Sequence, residues 1–424
     1  MIKNISIVVK NNLCTGCGTC VALCPKKAIE LYLDTTKGLF IPKINELKCN
    51  NCNICYKICP GHEINFKDLN LNIFKKESNN IFTGNYLNNY LGFSNNHQIR
   101  YNASSGGIIT QILIYALEKG VINGALVTRM NNDNPLVPEP FIATTKDEII
   151  EASTSKYCPV PANIALEMIL NSEMDKFAVV GLPCHIQGIR KAEKENRDLQ
   201  NKIVLHIGMF CGGLNSFLGT EFLLRQLKIN KNEIANLNYR GKGWPGKMFL
   251  RFHDKSKKSI PYPNYWWGFD SFFCPYRCSL CSDWTSELSD ISVGDAWIPK
   301  IVKNDKIGTS IIIIRNSFTN NLLKQMMIKG YINLNEITIK DIISSQKGIF
   351  KKKKDLRARI RLMELIRKKT PKNDQLLLNI TFKDYLKATI FYLPIYLFSN
   401  RTLWGILEVY LLSLRHLKSI KSKL

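Results

Sequence analysis

The middle of the chain alternates short apolar segments with stretches of helical periodicity. Each apolar segment is a run of strand length, as expected of a buried strand, and each helical stretch repeats its apolar residues every three or four positions. Buried strands are predicted at 125–128, 177–181, 203–209 and 310–314, and helices at 108–119, 186–195 and 216–227. This alternation predicts an α/β core, and such sheets bind ligands at the carboxyl ends of their strands.

The pattern changes on both sides of this core. Before it, the chain from Phe66 to Tyr90 is polar, rich in asparagine and poor in periodicity, as expected of a linker. We therefore predict a first domain at 1–75, a linker at 76–90, an α/β domain at 91–345 and a helical tail at 346–424.

The tail combines basic and apolar segments. Residues 351–369 carry ten basic and two acidic side chains. Its apolar residues at helical spacing are Leu356, Ile360, Met363 and Ile366. This pattern predicts either a helix at a membrane surface or an acidic partner, or a helix packed on the core with a solvated face. The apolar segments at 388–398 and 403–414 are shorter than the roughly 20 residues that span a bilayer, so they are predicted to be interfacial or packed.

Composition and charge narrow the classes of protein and partner. A chain of 424 residues with 45 % hydrophobic content suits two or three globular domains. The net charge of +25 favours acidic electron carriers such as ferredoxin, anionic cofactors or an anionic membrane surface, although a solvated basic surface gives the same value. No motif for binding nucleic acid accompanies this charge. The first twelve residues lack the pattern of a signal peptide, so we expect a cytoplasmic protein, with a peripheral position at the inner face of the membrane if the tail is interfacial.

Eight of the fourteen cysteines fall in two copies of one spacing, C-x2-C-x2-C-x3-C-P, within residues 14–60. This is the bacterial ferredoxin spacing for two 4Fe-4S clusters, in which the fourth cysteine of each run ligates the other run's cluster. Zinc sites use CxxC pairs with a longer spacer, and disulfides need an oxidising compartment, so both alternatives fit less well. The expected ligands are Cys14, Cys17, Cys20 and Cys59 for one cluster, and Cys24, Cys49, Cys52 and Cys55 for the other.

Five further cysteines are candidates for another metal site. Two of them come just after predicted strands, and the other three share one short segment. They are Cys184, Cys211, Cys274, Cys278 and Cys281. A metal site can draw four ligands from these five, whereas inert buried thiols are the alternative for any single one. Cys158 has no companion and is expected to pack in the core, and His185 is expected to be a structural hydrogen-bonding residue.

Three loops rich in glycine and small residues are candidates for a cofactor site. The run 104–107 leads into a predicted helix, and small residues let an anion approach the free amides of a helix N-terminus, although serine is also an ordinary N-cap. The run 239–246 places an arginine, a lysine and a tryptophan among glycines, which suits a phosphate and a flat ring. In the third run, 290–297, Asp295 can accept a hydrogen bond from a ribose or a ring nitrogen. Each loop can also be a turn and nothing more.

Together these motifs resemble a known family, the beta subunit of coenzyme F-420 hydrogenase and dehydrogenase, in the form with an N-terminal two-cluster ferredoxin domain. The matching segments occur in one order between residues 105 and 295. They are SGG at 105–107, SKY at 155–157, GLPC at 181–184, FC at 210–211, RGKGWPG at 240–246, CxxCxD at 278–283 and SDIxxGD at 289–295.

The resemblance implies a fold and a set of cofactors. The fold is an α+β ferredoxin-like dicluster module followed by an α/β flavin and iron-sulfur domain and a helical tail. The cofactors are FAD and a third 4Fe-4S cluster held by Cys184, Cys211, Cys278 and Cys281, with Cys274 as an extra cysteine. The implied FAD-binding residues are Ser105, Gly106, Gly107, Ser155, Lys156, Tyr157, Arg240, Gly241, Lys242, Gly243, Trp244, Gly294 and Asp295.

The implied function is that of an iron-sulfur flavoprotein oxidoreductase. It would pass electrons between a ferredoxin-type donor, the clusters and FAD, and the flavin would exchange a hydride with an organic substrate. Members of the family act on the deazaflavin coenzyme F-420 or on chlorophylls and their precursors, and bacterial relatives often accompany genes of polysaccharide biosynthesis. The alternative is a non-catalytic electron-transfer subunit that docks on a partner oxidoreductase. The sequence identifies no catalytic acid or base.

Overall fold

The computed structural model describes residues 3–411 apart from 79, 263, 266–271 and 399. Its strands are β1 (Ile29–Asp34), β2 (Leu39–Ile44), β3 (Glu63–Ile64), β4 (Asn88–Ser94), β5 (Gly124–Met130), β6 (Pro138–Ala143), β7 (Phe177–Gly181), β8 (Ile203–Met209), β9 (Ile234–Gly241), β10 (Lys247–Phe252), β11 (Lys257–Pro261), β12 (Ile291–Asp295), β13 (Ser310–Ile314), β14 (Ile332–Glu336) and β15 (Lys372–Asn373).

The helices are α1 (Ile5–Lys10), α2 (Thr19–Ala22), α3 (Ile54–Lys57), α4 (Phe66–Phe74), α5 (His97–Asn102), α6 (Ile108–Glu118), α7 (Lys146–Glu151), α8 (Leu166–Leu170), α9 (Pro183–Glu195), α10 (Arg197–Lys202), α11 (Phe217–Gln226), α12 (Tyr276–Ser279), α13 (Pro299–Asn304), α14 (Ser317–Ile328), α15 (Ile339–Ser345), α16 (Lys347–Lys354), α17 (Leu356–Leu365) and α18 (Phe382–Phe398). Short 3-10 turns occur at Ala162–Ala165, Lys231–Glu233 and Arg401–Leu403.

An eight-stranded mixed sheet forms the centre of the molecule, in the order β14-β4-β13-β12-β8-β7-β5-β6. The neighbours β12, β8, β7 and β5 are parallel, and the outer pairs are antiparallel. Parallel strands are covered on both faces and therefore consist of nearly continuous apolar residues. All four strands expected from apolar runs lie in this sheet, as β5, β7, β8 and β13. The prediction of a mixed α/β fold is confirmed.

The cysteine-rich first part of the chain forms a small module beside the sheet. Its strands β1 and β2 make an antiparallel hairpin, α1 and α2 pack on this hairpin, and α4 packs through Phe66 and Leu69 on the core of the central sheet. The short strand β3 pairs with β15, which belongs to the tail. Asp374 of the tail also caps α4, because its carboxylate accepts from the Phe66 and Lys67 N–H groups over 2.5 and 3.1 Å. The tail is thus attached to the first module.

The segment predicted as a linker, 76–90, ends in a strand and packs against the core. Strand β4 starts at Asn88 and lies between β13 and β14. Thr83 is fully buried, and the Phe82 carbonyl accepts a hydrogen bond from Trp284 Nε1 over 2.6 Å. The polar sequence did not predict the start of this strand, because the strands that pair with it lie more than 200 residues further along the chain.

The sequence predicts one amphipathic helix over 351–369, but the basic part of the tail does not form a single helix. Two helices, α16 and α17, meet at Asp355. Lys353, Lys354 and Arg359 are buried, so part of the basic charge faces the protein interior. Leu356 and Met363 pack in a hydrophobic cluster, as in the packed interpretation. Within the described residues, no helix is both long and apolar enough to cross a membrane.

Candidate metal and cofactor sites

The first cysteine set lines one cavity of the N-terminal module. Its members are Cys14, Cys17, Cys20 and Cys59. Backbone donors approach two of these thiols, because the Gly16 N–H donates to Cys14 Sγ and the Gly61 N–H to Cys59 Sγ, both over 3.3 Å. Such donors stabilise negative thiolates and influence the potential of a bound cluster.

The second cysteine set lines a separate cavity of the same module. Its members are Cys24, Cys49, Cys52 and Cys55. The Ala28 N–H donates to Cys24 Sγ over 3.3 Å. Cys52 is exposed, whereas three members of the first set are buried. The second set therefore lies closer to solvent than the first.

The donors of both sets suit a 4Fe-4S cluster. Each set takes three cysteines from one run and the fourth from the other, which is the crossed pattern expected from the spacing. Burial and the Cys17 thiol raise the pKa of Cys59 to about 11, so binding of a metal must displace its proton. In the described part of the chain, no three His, Cys, Asp or Glu side chains are arranged to hold a single metal ion.

A third cysteine group meets beside the carboxyl ends of β7 and β8. Its members are the five cysteines Cys184, Cys211, Cys274, Cys278 and Cys281. Burial raises the pKa of Cys184, and the thiols of Cys278, Cys17 and Cys211 raise it further. Burial likewise raises the pKa of Cys278, with further contributions from Cys274 and Cys211. This group has one cysteine more than a 4Fe-4S cluster uses.

Asn163 joins the first cysteine set to the third group. This fully buried side chain donates through Nδ2 to Thr19 Oγ1 over 2.8 Å and to the His185 carbonyl over 2.9 Å. Its backbone N–H donates to the Cys17 carbonyl over 2.9 Å. The loop of Cys17 is therefore held against the start of α9, where Cys184 lies.

Arg277 makes a second connection between the same two groups. It precedes Cys278 and is buried. Its Nε donates to the Gly61 carbonyl over 2.6 Å, and its Nη2 donates to the Pro60 carbonyl over 3.1 Å. Both carbonyls directly follow Cys59. The two groups consequently share one interface within the molecule.

The loops expected to hold a flavin also come together. The Ser155 N–H donates to Ser104 Oγ over 2.8 Å, and the Ser104 hydroxyl lies 3.5 Å from the Arg240 carbonyl. The Gly243 N–H donates to the Tyr101 carbonyl over 2.8 Å. The runs at 105–107, 155–157, 240–244 and 294–295 thus form one region.

Within that region, Arg240 and Asp295 bond to each other. Arg240 Nη1 and Nη2 donate to the two carboxylate oxygens over 2.7 and 3.2 Å. The guanidinium also donates to the Tyr157 hydroxyl over 3.1 Å and to the Pro245 carbonyl over 2.7 Å. Trp244 Nε1 donates to Asp295 over 3.1 Å. In this structure the arginine balances a protein carboxylate, and the pair fixes the loop that carries Trp244.

Packing explains the small residues at 106 and 294. A Cβ on Gly106 would lie 2.6 Å from the Gly92 carbonyl oxygen and 2.9 Å from the Ser310 nitrogen. A Cβ on Gly294 would overlap the Phe210 ring. Gly107 has a φ of 73° and begins α6 without a side-chain cap. The helix start therefore keeps free N–H groups, which suit an anion.

The ammonium groups of Lys156 and Lys242 contact nearby groups of the protein. Lys156 Nζ donates to the carbonyls of Ala152, Ser153 and Thr154 over 2.5, 2.8 and 3.0 Å. Burial lowers the pKa of Lys156 to about 7. Lys242 Nζ lies 4.7 Å from the centre of the Phe249 ring. Gly241 lies between these loops, where a Cβ would be 3.2 Å from the Asn102 carbonyl oxygen.

His185 and Cys158 have structural roles, as predicted. The Leu182 N–H donates to His185 Nδ1 over 3.2 Å, so Nε2 carries the hydrogen and donates to the Val160 carbonyl over 3.0 Å. Burial lowers the pKa of His185 to about 4, which keeps the ring neutral. Cys158 is fully buried in the hydrophobic cluster around Phe222.

Several residues at these sites were not anticipated. Asn163 and Arg277 belong to no recognised sequence motif. The buried basic residues of the tail belong to a run whose charged side chains were expected to face solvent, lipid or an acidic partner. These residues are Lys353, Lys354 and Arg359. Their positions depend on contacts between distant segments, so local spacing gives no signal.

Family models match three parts of the chain. Residues 13–63 match the 4Fe-4S dicluster domain. Residues 89–167 match the N-terminal region of the beta subunit of coenzyme F420 hydrogenase/dehydrogenase, and residues 174–340 match the C-terminal region of the same protein. The two beta-subunit models together match more than half of the chain.

Several similar proteins are named for coenzyme F420. Coenzyme F420 hydrogenase subunit beta of Methanothermobacter thermautotrophicus is 29 % identical over 245 residues, which cover 56 % of this chain and 80 % of the relative. One component of the F(420)H(2) dehydrogenase of Methanosarcina mazei is 27 % identical over 310 residues, covering 70 % and 80 %. A chain of the F420-reducing [NiFe] hydrogenase complex of Methanosarcina barkeri has a similar fold, with a TM-score of 0.55, 24 % identity and coverage of 69 % of this chain and 97 % of that chain.

These matches agree with the crossed cysteine sets and with the mixed sheet that the structure contains. The chain is an iron-sulfur protein that belongs to the family of coenzyme F420 hydrogenase/dehydrogenase beta subunits and has a 4Fe-4S dicluster domain before the two characteristic regions of that family.

Proposed function

We propose that this chain is an iron-sulfur flavoprotein oxidoreductase with a third 4Fe-4S cluster and an FAD. It passes electrons between a ferredoxin-type donor and an organic substrate that accepts or gives a hydride. The first candidate substrate is the deazaflavin coenzyme F420, because relatives are named for it. An oxidised sugar nucleotide of polysaccharide biosynthesis is the second candidate.

The observation that supports this function is the interface between the first cysteine set and the third group. Asn163 holds the Cys17 loop against the residue after Cys184, and Arg277 holds the segment after Cys59 against Cys278. Electron transfer needs redox centres at short range, and rigid, buried hydrogen bonds maintain that separation.

The different burial of the two cysteine sets of the dicluster domain supports entry of electrons through the second set. The exposed position of Cys52 allows an external carrier to approach the second set. Three cysteines of the first set are buried, and the hydrogen bonds of Asn163 and Arg277 connect this set to the third group. A net charge of +25 favours an acidic carrier such as ferredoxin through electrostatic attraction.

The region of glycine-rich loops is the proposed position of FAD. FAD, when bound, supplies the conversion between single electrons and a hydride. The uncapped start of α6 at Gly107 would accept the pyrophosphate, and the half-buried Tyr157 would offer an aromatic surface to a ring. The ion pair of Arg240 with Asp295 would keep the Trp244 loop in place.

The second candidate function is an electron-transfer subunit without substrate chemistry of its own. It is favoured by the similarity to proteins that are named as the beta subunit of coenzyme F420 hydrogenase. In that case the partner oxidoreductase would hold the organic substrate, and the present chain would only relay electrons to it.

Analysis of bound iron and flavin tests the proposed cofactors. Anaerobically purified protein should contain about twelve iron and twelve sulfide per chain, because three 4Fe-4S clusters are proposed. It should also release one FAD on denaturation. Cys184→Ser and Cys278→Ser should each lose about four iron and retain the two clusters of the dicluster domain.

Cys158→Ser is the matched control, because Cys158 is buried in the core away from all three groups, and it should retain all the iron. About eight iron in the wild type would contradict the third cluster. Absence of flavin would contradict the FAD site.

A further inference from the structure

The loop that leads into the second cysteine set carries a fully exposed leucine. Leu47 is 99 % exposed and lies between the end of β2 and Cys49. The Asn45 carbonyl accepts from the Lys48 and Cys49 N–H groups over 3.2 and 3.1 Å. The Asn45 side chain accepts from the Leu47 N–H over 3.1 Å. These bonds hold the turn in one conformation, so the leucine is presented to solvent by an ordered backbone.

This leucine is close to cysteines that ligate a cluster of the dicluster domain. Leu47 comes two residues before Cys49, so their Cα atoms are at most about 7.6 Å apart. Cys49 and the exposed Cys52 line the cavity of the second set. A single exposed leucine is common on protein surfaces. Next to an exposed cluster ligand it offers an apolar contact to a carrier protein, because electron-transfer complexes bury small areas, often under about 1,200 Å².

Unpaired lysines surround the same cavity. Lys26 lines it directly, and Lys3 and Lys48 each directly precede a residue of the lining. All three side chains are exposed, and the ion pairs found among the described residues include none of them. One carboxylate, that of Glu46, belongs to the same loop as the leucine. Three lysines against one carboxylate give this face a net positive charge.

We propose that this face is the docking surface for an acidic one-electron carrier protein. Its residues are Lys3, Lys26, Leu47, Lys48 and Cys52. The inference rests on the ferredoxin-type donor of the proposed function, but not on the third cluster or the FAD. The lysines attract and orient the acidic carrier, and the leucine makes the apolar contact at short range. One electron then passes from the reduced carrier to the oxidised cluster of the second set, without transfer of a proton.

Stopped-flow reduction of the full-length protein under anaerobic conditions tests the lysines. The donor is an acidic plant-type ferredoxin that has been reduced and freed of dithionite, and its [2Fe-2S] spectrum differs from that of a 4Fe-4S cluster. Lys26→Glu combined with Lys48→Glu should lower the second-order rate constant about tenfold at low salt, because repulsion replaces steering. Added salt should reduce this difference.

Two further double variants separate this face from the overall charge. Lys26→Arg combined with Lys48→Arg keeps the charges and should keep the wild-type rate constant. Lys257→Glu combined with Lys258→Glu makes the same change of net charge on the exposed strand β11, and it should also keep the wild-type rate constant.

A single variant tests the leucine without a change of charge. Leu47→Ser should raise the ferredoxin concentration at half-saturation about fivefold, because loss of an apolar contact mainly speeds dissociation. Ile328→Ser, at an 81 % exposed residue of α14, is the matched control and should keep the wild-type value. All variants should keep the iron content of the wild type, since none of the substituted side chains is a cluster ligand.

The outcomes distinguish this docking surface from the proposed function. Wild-type protein that is reduced by methyl viologen but not by the ferredoxin would overturn the ferredoxin-type donor and the docking surface together. Fast reduction by the ferredoxin, with the same constants in the glutamate variant at 26 and 48 and in Leu47→Ser, would overturn the docking surface alone. An equal loss of rate in the β11 variant would also overturn it. If the glutamate variant at 26 and 48 loses iron, the half-saturation of Leu47→Ser decides in its place.

Discussion

Four buried charged residues form a network between α9 and β8. His206 Nε2 contacts Glu193 over 2.6 Å, and His206 Nδ1 contacts Asp290 over 3.1 Å. Arg190 donates to the same two carboxylates over 3.1 and 2.9 Å. Burial alone would raise the pKa of Glu193 and Asp290, but Arg190 and His206 hold both below their ordinary values. Burial and Arg190 lower the pKa of His206, yet the two carboxylates raise it overall.

The first prediction at the residue scale concerns His206→Phe. Because the folded-state pKa of His206 is raised, its stabilisation is complete below the unfolded value of about 6.5 and is lost as the pH rises through the folded value. Removing one partner of a buried charge network costs about 3 kcal/mol. The midpoint of thermal unfolding should therefore fall more at pH 6 than at pH 9. The exposed His253→Asn should change little, and an equal loss at both pH values would contradict the account.

Single residues also show how far local sequence determines the candidate site. The crossed cysteine sets could be predicted because the ligands of a cluster follow a fixed spacing along the chain. The loops of the proposed flavin region could be grouped, but the pairing of Arg240 with Asp295 could not, since it joins strands that are 55 positions apart. The position of Lys353 depends on how the tail folds back, so no motif indicates it.

At the scale of elements, burial determines which strands and helices could be predicted. Strands β7, β8 and β13 have the predicted bounds, because a strand covered on both faces consists almost entirely of apolar residues. The first three residues of strand β4, 88–90, were assigned to the linker, because two of them are asparagines and the register of the strand comes from β13 and β14. The basic helix was expected to be continuous, and the buried lysines before Asp355 could not be distinguished from solvated ones.

The second prediction concerns the outer face of helix α18. Leu386, Ile390 and Leu393 are 61 %, 62 % and 57 % exposed, and Lys383 and Lys387 lie near the start of the same helix. Such a face suits an anionic bilayer, which buries apolar side chains and attracts cations. The full-length protein should therefore bind anionic vesicles more strongly than neutral ones, and salt should weaken the binding.

Surface substitutions test this prediction better than truncation, because removing the tail after residue 340 would expose the core residues that the tail covers, such as Trp284, Leu280 and Phe222. The combined change Leu386→Ser, Ile390→Ser and Leu393→Ser should abolish vesicle binding. Ile328→Ser, at an exposed apolar residue of another helix, is the control and should retain binding. Equal binding by both variants would refute a role of α18.

At the scale of the whole molecule, the first cysteine set connects the other two groups, because it shares both cysteine runs with the second set and is hydrogen-bonded to the segments of the third group. The second set is partly exposed, the first set is buried, and the third group meets the first through Asn163 and Arg277. The tail closes this arrangement from two sides, because β15 pairs with the first module and α16 and α17 cover the third group. The sequence predicts the order of these parts along the chain, whereas their mutual packing depends on contacts across the whole length.

The most direct test of the proposed function is the oxidation of the reduced protein by coenzyme F420. Anaerobic protein would be reduced with dithionite-reduced ferredoxin and mixed rapidly with the deazaflavin, an oxidised sugar nucleotide or an unsaturated tetrapyrrole, while visible absorbance follows the bound centres. An enzyme with its own substrate pocket should show a rate that saturates with the concentration of one acceptor and far exceeds the rate with the others. Slow oxidation by all three without saturation, restored only by a copurifying protein, would contradict the enzyme and identify an electron-transfer subunit.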